Sequence, residues 1–203
     1  MAALAMFPLG AVLLPGAVLP LHVFEPRYRA MVADCLAAEP EFGVVLIERG
    51  SEVGGGDVRY DIGTVARIVE VAELPGGRSA LMTVGTRRIR VERWLDDDPY
   101  PRADVVDWPE GDDAGGGPAL DDVVARLRRV LALQAELGEP APPATTEVAD
   151  DPLLATYHAA ALAPLGPHDR YRLLAAADPA ERRRLLAAML DDAEAMLRFR
   201  AGG

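Results

Sequence analysis

Between residues 6 and 24 the chain is apolar except for proline, glycine and one histidine, and it reads as two extended segments, 6–14 and 17–24. Pro15-Gly16 between them has the residue types of a type II turn. Proline fixes φ at the first central position, and glycine supplies the positive φ needed at the second. Pro26 then opens a helix, where its missing N–H costs nothing. Tyr28, Met31, Val32, Cys35 and Leu36 recur at the spacing of one helical face. Residues 42–47 suit a buried strand, and 62–74 and 79–95 read as two long strands joined by the LPGGR turn. A further short strand is expected at 103–108.

Beyond Trp108 the period changes. Leu120, Val123, Val124, Leu127, Val130, Leu131, Gln134 and Leu137 form a helical stripe. Asp151-Pro152 begins a second helix, apolar at Leu153, Leu154, Tyr157 and Ala161, and Pro167 a third. Asp178, Pro179 and Glu181 fit the N-cap, N1 and N3 positions of a fourth, which carries Leu185, Leu186, Met189, Leu190, Ala193, Met196 and Leu197. The class is therefore α+β: a small barrel or sandwich with one short helix over 1–110, a flexible linker over 111–118 (Gly/Asp-rich, without an apolar residue larger than alanine), and a four-helix bundle over 119–203.

Composition narrows the chemistry. All 21 basic residues are arginine, so the chain builds neither a P-loop nor a Ser-Lys dyad nor a Schiff base, each of which needs lysine. One cysteine, Cys35, supports no intramolecular disulfide and no multi-cysteine zinc site; a buried structural thiol in a reducing compartment is expected. No apolar run approaches a membrane span and no positive segment precedes the first apolar stretch, so a cytoplasmic location is expected. Net charge is −11, from 17 acidic and 11 basic residues in 1–110 (−6) and 15 and 10 in 111–203 (−5). Neither half offers a cationic field to nucleic acid or an anionic membrane.

The histidines, His22, His158 and His168, match no zinc spacing, and His22 reads as a hydrogen-bonded structural residue within a strand. Ser51 and Ser79 sit in loops away from any nucleophile elbow, and the glycine-rich stretch 50–57 lacks the lysine and helix of a phosphate site. The 32 acidic residues supply candidate pairs for acid–base work, but nothing supports a particular pair. Alternation sets Arg88 and Arg90 opposite Ile89 and Val91, on a solvated face or in ion pairs with neighbours such as Glu70 and Glu92. Asp96-Asp97-Asp98 reads as solvated charge. No metal or cofactor is implied.

Two blocks carry a family resemblance. Residues 7–32 hold Phe7-Pro8-Leu9, Pro15-Gly16, Leu19-Pro20-Leu21 and Phe24-Glu25-Pro26-Arg27-Tyr28, and residues 62–91 hold a Gly-Thr-x-Ala-x-Ile strand followed, after the turn, by Gly85-x-x-Arg88. Together they resemble the Lon protease N-terminal (substrate-binding) domain family; the segment LLAAADPAERRRLLAAML also resembles the helices that follow the barrel there. The resemblance implies a PUA-like pseudo β-barrel followed by a helical bundle. It implies a stand-alone, non-catalytic module that captures unfolded or extended polypeptide, with a protease or another protein as a further partner. Candidate binding residues are Leu21, Phe24, Glu25, Arg27, Tyr28 and Arg88, although for Glu25 and Arg27 a structural ion pair that locks the helix to the barrel is the stronger reading. Two other readings stay open: RNA binding, by analogy with other PUA-like barrels, and small-ligand binding in a cleft between the two parts.

Overall fold

The computed structural model describes residues 2–50, 52, 56–113 and 115–202, so Ser51 and residues 53–55 of the glycine-rich stretch lie outside the described residues. The chain divides into two compact units, Met1–Pro109 and Glu110–Gly203.

The first unit contains β1 (Ala2–Leu9), β2 (Val18–Val23), α1 (Pro26–Ala37), β3 (Glu41–Arg49), β4 (Val58–Leu74), β5 (Arg78–Trp94) and β6 (Arg102–Asp107). They form one mixed sheet in the order β2-β5-β4-β3-β1-β6, in which β1 and β3 run parallel. Strand β5 pairs with β2 through Ser79–Val84 and with β6 through Ile89–Trp94, so the sheet curls until β6 meets β5. Successive residues face opposite sides, as the two-residue period of a strand requires. Met6, Val45, Val65, Ile89, Val91 and Ala103 come from the five strands of that ring and pack together. Their neighbours Phe7, Val44 and Ala66 point the other way and pack with Tyr28, Met31, Val32 and Cys35 of α1. Leu36 does not join them: it is exposed, at the margin of the predicted helical face.

The expected strand over 6–14 ends at Leu9. The chain there leaves the sheet, and the Leu13 carbonyl accepts a 2.6 Å hydrogen bond from the Thr64 hydroxyl. The type II turn follows, with Gly16 at φ 79° and the Ala17 N–H donating to the Leu14 carbonyl at 3.0 Å. The turn is fastened to β5: Gly16 N–H donates to the Gly85 carbonyl (2.8 Å), and Gly85 N–H to the Ala17 carbonyl (2.9 Å). A Cβ at Gly85 would collide with the Leu14 carbonyl, so glycine is required by close approach of two backbones.

Two charge readings need correcting. Arg88 is not on a solvated face: it is buried, and its guanidinium donates to the Pro109 carbonyl at 3.0 Å. Alternation does set it opposite Ile89 and Val91, which pack in the core, but the segment after β6 lies against it, with the Trp108 N–H donating to the Arg88 carbonyl at 2.9 Å. Asp97 is not merely solvated either. It accepts from Arg59 at 2.9 Å, while Arg59 also pairs with Asp57 at 2.6 Å and lies over the Trp94 ring. Arg90 does pair with Glu92, at 2.8 Å.

The second unit holds α2 (Leu120–Glu136), α3 (Pro152–Leu162), α4 (Pro167–Ala175) and α5 (Pro179–Ala201). Asp151 caps α3 by accepting from Leu154 N–H, and Asp178 caps α5 by accepting from Glu181 N–H, each satisfying a donor that the first turn leaves open. The Glu181 carboxylate accepts in return from Ala177 N–H. Of the expected α5 stripe, Leu186, Met189, Leu190, Ala193 and Leu197 are buried and Met196 is exposed. The segment read as a linker has anchors on α5: Arg183 donates to the Pro118 carbonyl and pairs with Asp113 at 2.9 Å. Arg182 is fully buried, donates to the Leu173 carbonyl (3.0 Å) and to Glu110 (2.6 Å), and lies 4.0 Å over the Tyr157 ring. Among the described residues no helix is long and apolar enough to cross a membrane, and no three His, Cys, Asp or Glu residues are grouped to hold a metal ion.

Candidate functional site

Strand β2 sits at the end of the sheet order with β5 as its one partner among the described residues, and it contains Pro20, which has no N–H to offer a ladder. Immediately beyond it Phe24 is carried out into solvent, 56% exposed, because Val23 before it is buried and Pro26 after it starts a helix. The side chains of Leu9, Leu21, Phe24 and Tyr28 border a concavity of about 170 Å³, with Glu25, His22 and Glu52 at its rim.

The floor is rigid. The Phe7 and Tyr28 rings stack at 4.0 Å between centroids, 10° from parallel, and Phe42 packs on Phe7 at 5.9 Å. Arg27 braces the mouth: its guanidinium lies 4.5 Å from the Tyr28 ring centroid, and it donates to Glu25 and to the Glu52 carbonyl, each at 3.1 Å. Glu52 in turn accepts from the Gly10 N–H. Burial pushes the Tyr28 hydroxyl up to about 12, against the opposing pull of Arg27, so it is a neutral hydrogen-bonding group at physiological pH. Nothing here resembles a nucleophile with its base; the site offers apolar surface edged by charge.

Leu21, Phe24, Glu25 and Tyr28 thus come together on one concavity, and Arg27 stands beside it, engaged with Glu25. Arg88 does not belong to this group, being buried against Pro109. His22, read as a hydrogen-bonded structural residue, is exposed, and its side chain makes no hydrogen bond among the described residues; strand alternation next to buried Val23 sends it outward.

The concavity continues. His22, Val23 and Phe24 also border a second hollow of about 240 Å³, whose far wall is Leu74, Arg78 and Ser79. Those three residues border a third, of about 420 Å³, between α1 (Arg29, Val32, Ala33, Leu36) and the end of β4 (Val71, Glu73). The three hollows share lining residues, and together they are the candidate groove across the end of β2 and along α1. Leu36 and Val71 leave apolar surface open in it. The sequence signal for this extension was Leu36, the marginal member of the α1 stripe, together with the Gly76-Gly77 turn that lies beside it.

Comparison with known proteins places these features. Residues 3–192 match the family model described as ATP-dependent protease La (LON) substrate-binding domain. Lon protease 2 of Myxococcus xanthus is 31% identical over 150 residues, 72% of this chain and 18% of that protein. Lon protease 2 of Herpetosiphon aurantiacus is 29% identical over 192 residues, 92% of this chain and 23% of that protein. The chain therefore spans about a fifth of the length of these curated relatives. Among solved structures, the Lon N-terminal domain protein from Xanthomonas campestris aligns with a TM-score of 0.68 and 31% identity, covering 93% of this chain and 98% of that one. The N-terminal domain of Mycobacterium avium complex Lon protease aligns with a TM-score of 0.65 at 19% identity, a likeness of fold alone. The α+β architecture expected from sequence is the one these neighbours share, and the chain belongs to the Lon substrate-binding domain family.

Proposed function

We propose that the chain is a non-catalytic recognition module that holds unfolded or extended polypeptide in the groove at the end of β2. The observation that carries this reading is Phe24, a large aromatic left 56% exposed over a stacked, rigid aromatic floor in a domain of a substrate-binding family. An exposed apolar surface rimmed by polar groups is the usual mark of a binding site. Preorganisation of the floor by the Phe7–Tyr28 stack and the Arg27 brace lowers the ordering cost of association. Side chains of the bound segment would enter the hollows while its backbone runs beside the single-partnered β2, a mode that reads apolar character rather than a fixed sequence. Binding is the whole activity: lysine is absent, so ATP hydrolysis through a P-loop has no residue to work with.

The test is titration of a fluorescently labelled unfolded protein against wild type, Phe24→Ser, Glu25→Ala and Arg27→Ala, with each variant's folding checked by thermal melting. Phe24→Ser should weaken binding on the order of tenfold, as expected for loss of one central aromatic anchor. Arg27→Ala should weaken it less, by freeing Tyr28 and Glu25. Affinity unaffected by Phe24→Ser removes this groove from the reading. ATP turnover or cleavage of the bound polypeptide by pure protein contradicts the non-catalytic part.

A further inference from the structure

We infer that the α1 end of the groove is a carboxylate-reading subsite, selecting polypeptide segments in which an aspartate or glutamate lies next to an aliphatic residue. This rests on the polypeptide-binding reading above and adds a charge preference to it. Two arginines converge on the β4–β5 turn. Arg29, from α1, lies against Gly77, where any Cβ would overlap its guanidinium. Arg78, the first residue of β5, donates through Nε to the Pro75 carbonyl at 3.1 Å, and its two terminal nitrogens make no hydrogen bond among the described residues. Both arginines border the same hollow of about 420 Å³.

Their pairing state, taken together with their place on one hollow, sets them apart. This is a chain of net charge −11, in which acids are available to arginines almost everywhere. Arg27, Arg59, Arg67, Arg87, Arg90 and Arg93 of the same unit all form ion pairs. Among the described residues Arg29 and Arg78 form none; Arg49 and Arg102 form none either, but they do not border the hollow. Glu73 borders the hollow as well and pairs with neither. Two guanidiniums that border one hollow leave positive charge there unneutralised, and an incoming carboxylate would accept hydrogen bonds from them. The surface beside them is aliphatic and open: Leu36 is 47% and Val71 37% exposed. The complementary ligand is therefore an acidic side chain with an aliphatic neighbour, on an extended backbone that can also reach Phe24.

Two acetylated, amidated apolar peptides of about a dozen residues, identical except for a central Glu or Gln, test this by fluorescence anisotropy. Blocked termini ensure that only the side chain presents a carboxylate. Wild type should bind the Glu peptide about fivefold more tightly than the Gln peptide, a size suited to part-exposed charge pairs, and the ratio should shrink as salt rises. Arg29→Gln/Arg78→Gln, an exchange at the surface of the fold, should bring the ratio to about one. Phe24→Ser should weaken both peptides together and leave the ratio in place. A ratio of one on wild type, or a ratio that survives in the double variant, overturns the inference and leaves polypeptide capture standing. Binding of neither peptide to wild type also overturns it, and if labelled unfolded protein fails to bind too, the capture reading falls with it.

Discussion

Gly85 shows how a short motif acts through its backbone. Its N–H and carbonyl both bond to the Pro15-Gly16 turn, and the Leu14 carbonyl occupies the space a side chain would need. Gly85→Ala would force two backbones apart. The expected cost is about 2 kcal/mol, typical of overpacking without a flexible neighbour to yield, or a fall in melting temperature on the order of 5 °C for a protein of this size. Unchanged melting would mean that the turn is not pinned there. The Gly-x-x-Arg pattern was visible in the sequence, but neither role was. Arg88 reads as a surface charge by alternation, yet it is buried against the segment that follows β6, whose Pro109 carbonyl it donates to. Leu21, Phe24, Glu25 and Tyr28, by contrast, are neighbours in the chain as well as in space, so their grouping was legible.

At the level of elements, local chemistry carried most of the assignment. Proline at N1 and aspartate at the N-cap mark the starts of α3 and α5, and both aspartates make the expected capping bonds. The parallel pairing of β1 with β3, the return of β6 onto β5 and the end position of β2 were not legible, because they depend on residues far apart in sequence. Arg182 belongs with these. In the run Arg182-Arg183-Arg184 nothing distinguishes it, yet it alone of the three is fully buried. It links α5 to the end of α4 through the Leu173 carbonyl and to Glu110 ahead of α2. Arg182→Met keeps apolar bulk but removes the 2.6 Å ion pair with Glu110, whose carboxylate is 19% exposed, together with the bond to the Leu173 carbonyl. Breaking a buried pair from one side typically costs several kcal/mol, whereas an exposed pair contributes under about 1. Urea unfolding followed by the helical signal at 222 nm should show a loss of about 3 kcal/mol for Arg182→Met. Arg183→Met, which removes a more exposed pair with Asp113, should lose under about 1 kcal/mol. Equal losses would show that burial of the first pair is not what gives it weight.

The whole molecule is an acidic protein whose arginines are largely committed to its own acids, and this bears on what it can hold. Its curled mixed sheet has relatives among substrate-binding domains, and fold alone leaves RNA as a ligand to be argued from the surface. The surface argues against it. With −6 and −5 on the two halves of the sequence neither half has a net cationic field, and among the described residues Arg29 and Arg78 are unpaired arginines that share a hollow. Two such groups neutralise at most two phosphates, so log K should fall with log salt with a slope of about −1.4, from about −0.7 per phosphate on a single strand. Between 50 and 200 mM salt that slope amounts to a loss of about sevenfold, from an affinity already in the weak nonspecific range. Anisotropy of a labelled single-stranded RNA at both salts, with wild type and with Arg29→Gln/Arg78→Gln, reads slope and site together. Weak binding that follows this slope and disappears in the double variant assigns any RNA contact to the carboxylate subsite, as an incidental anion. Submicromolar affinity at physiological salt, or a slope several times steeper, would require a phosphate-binding surface built from other arginines and would put nucleic acid ahead of polypeptide as the ligand.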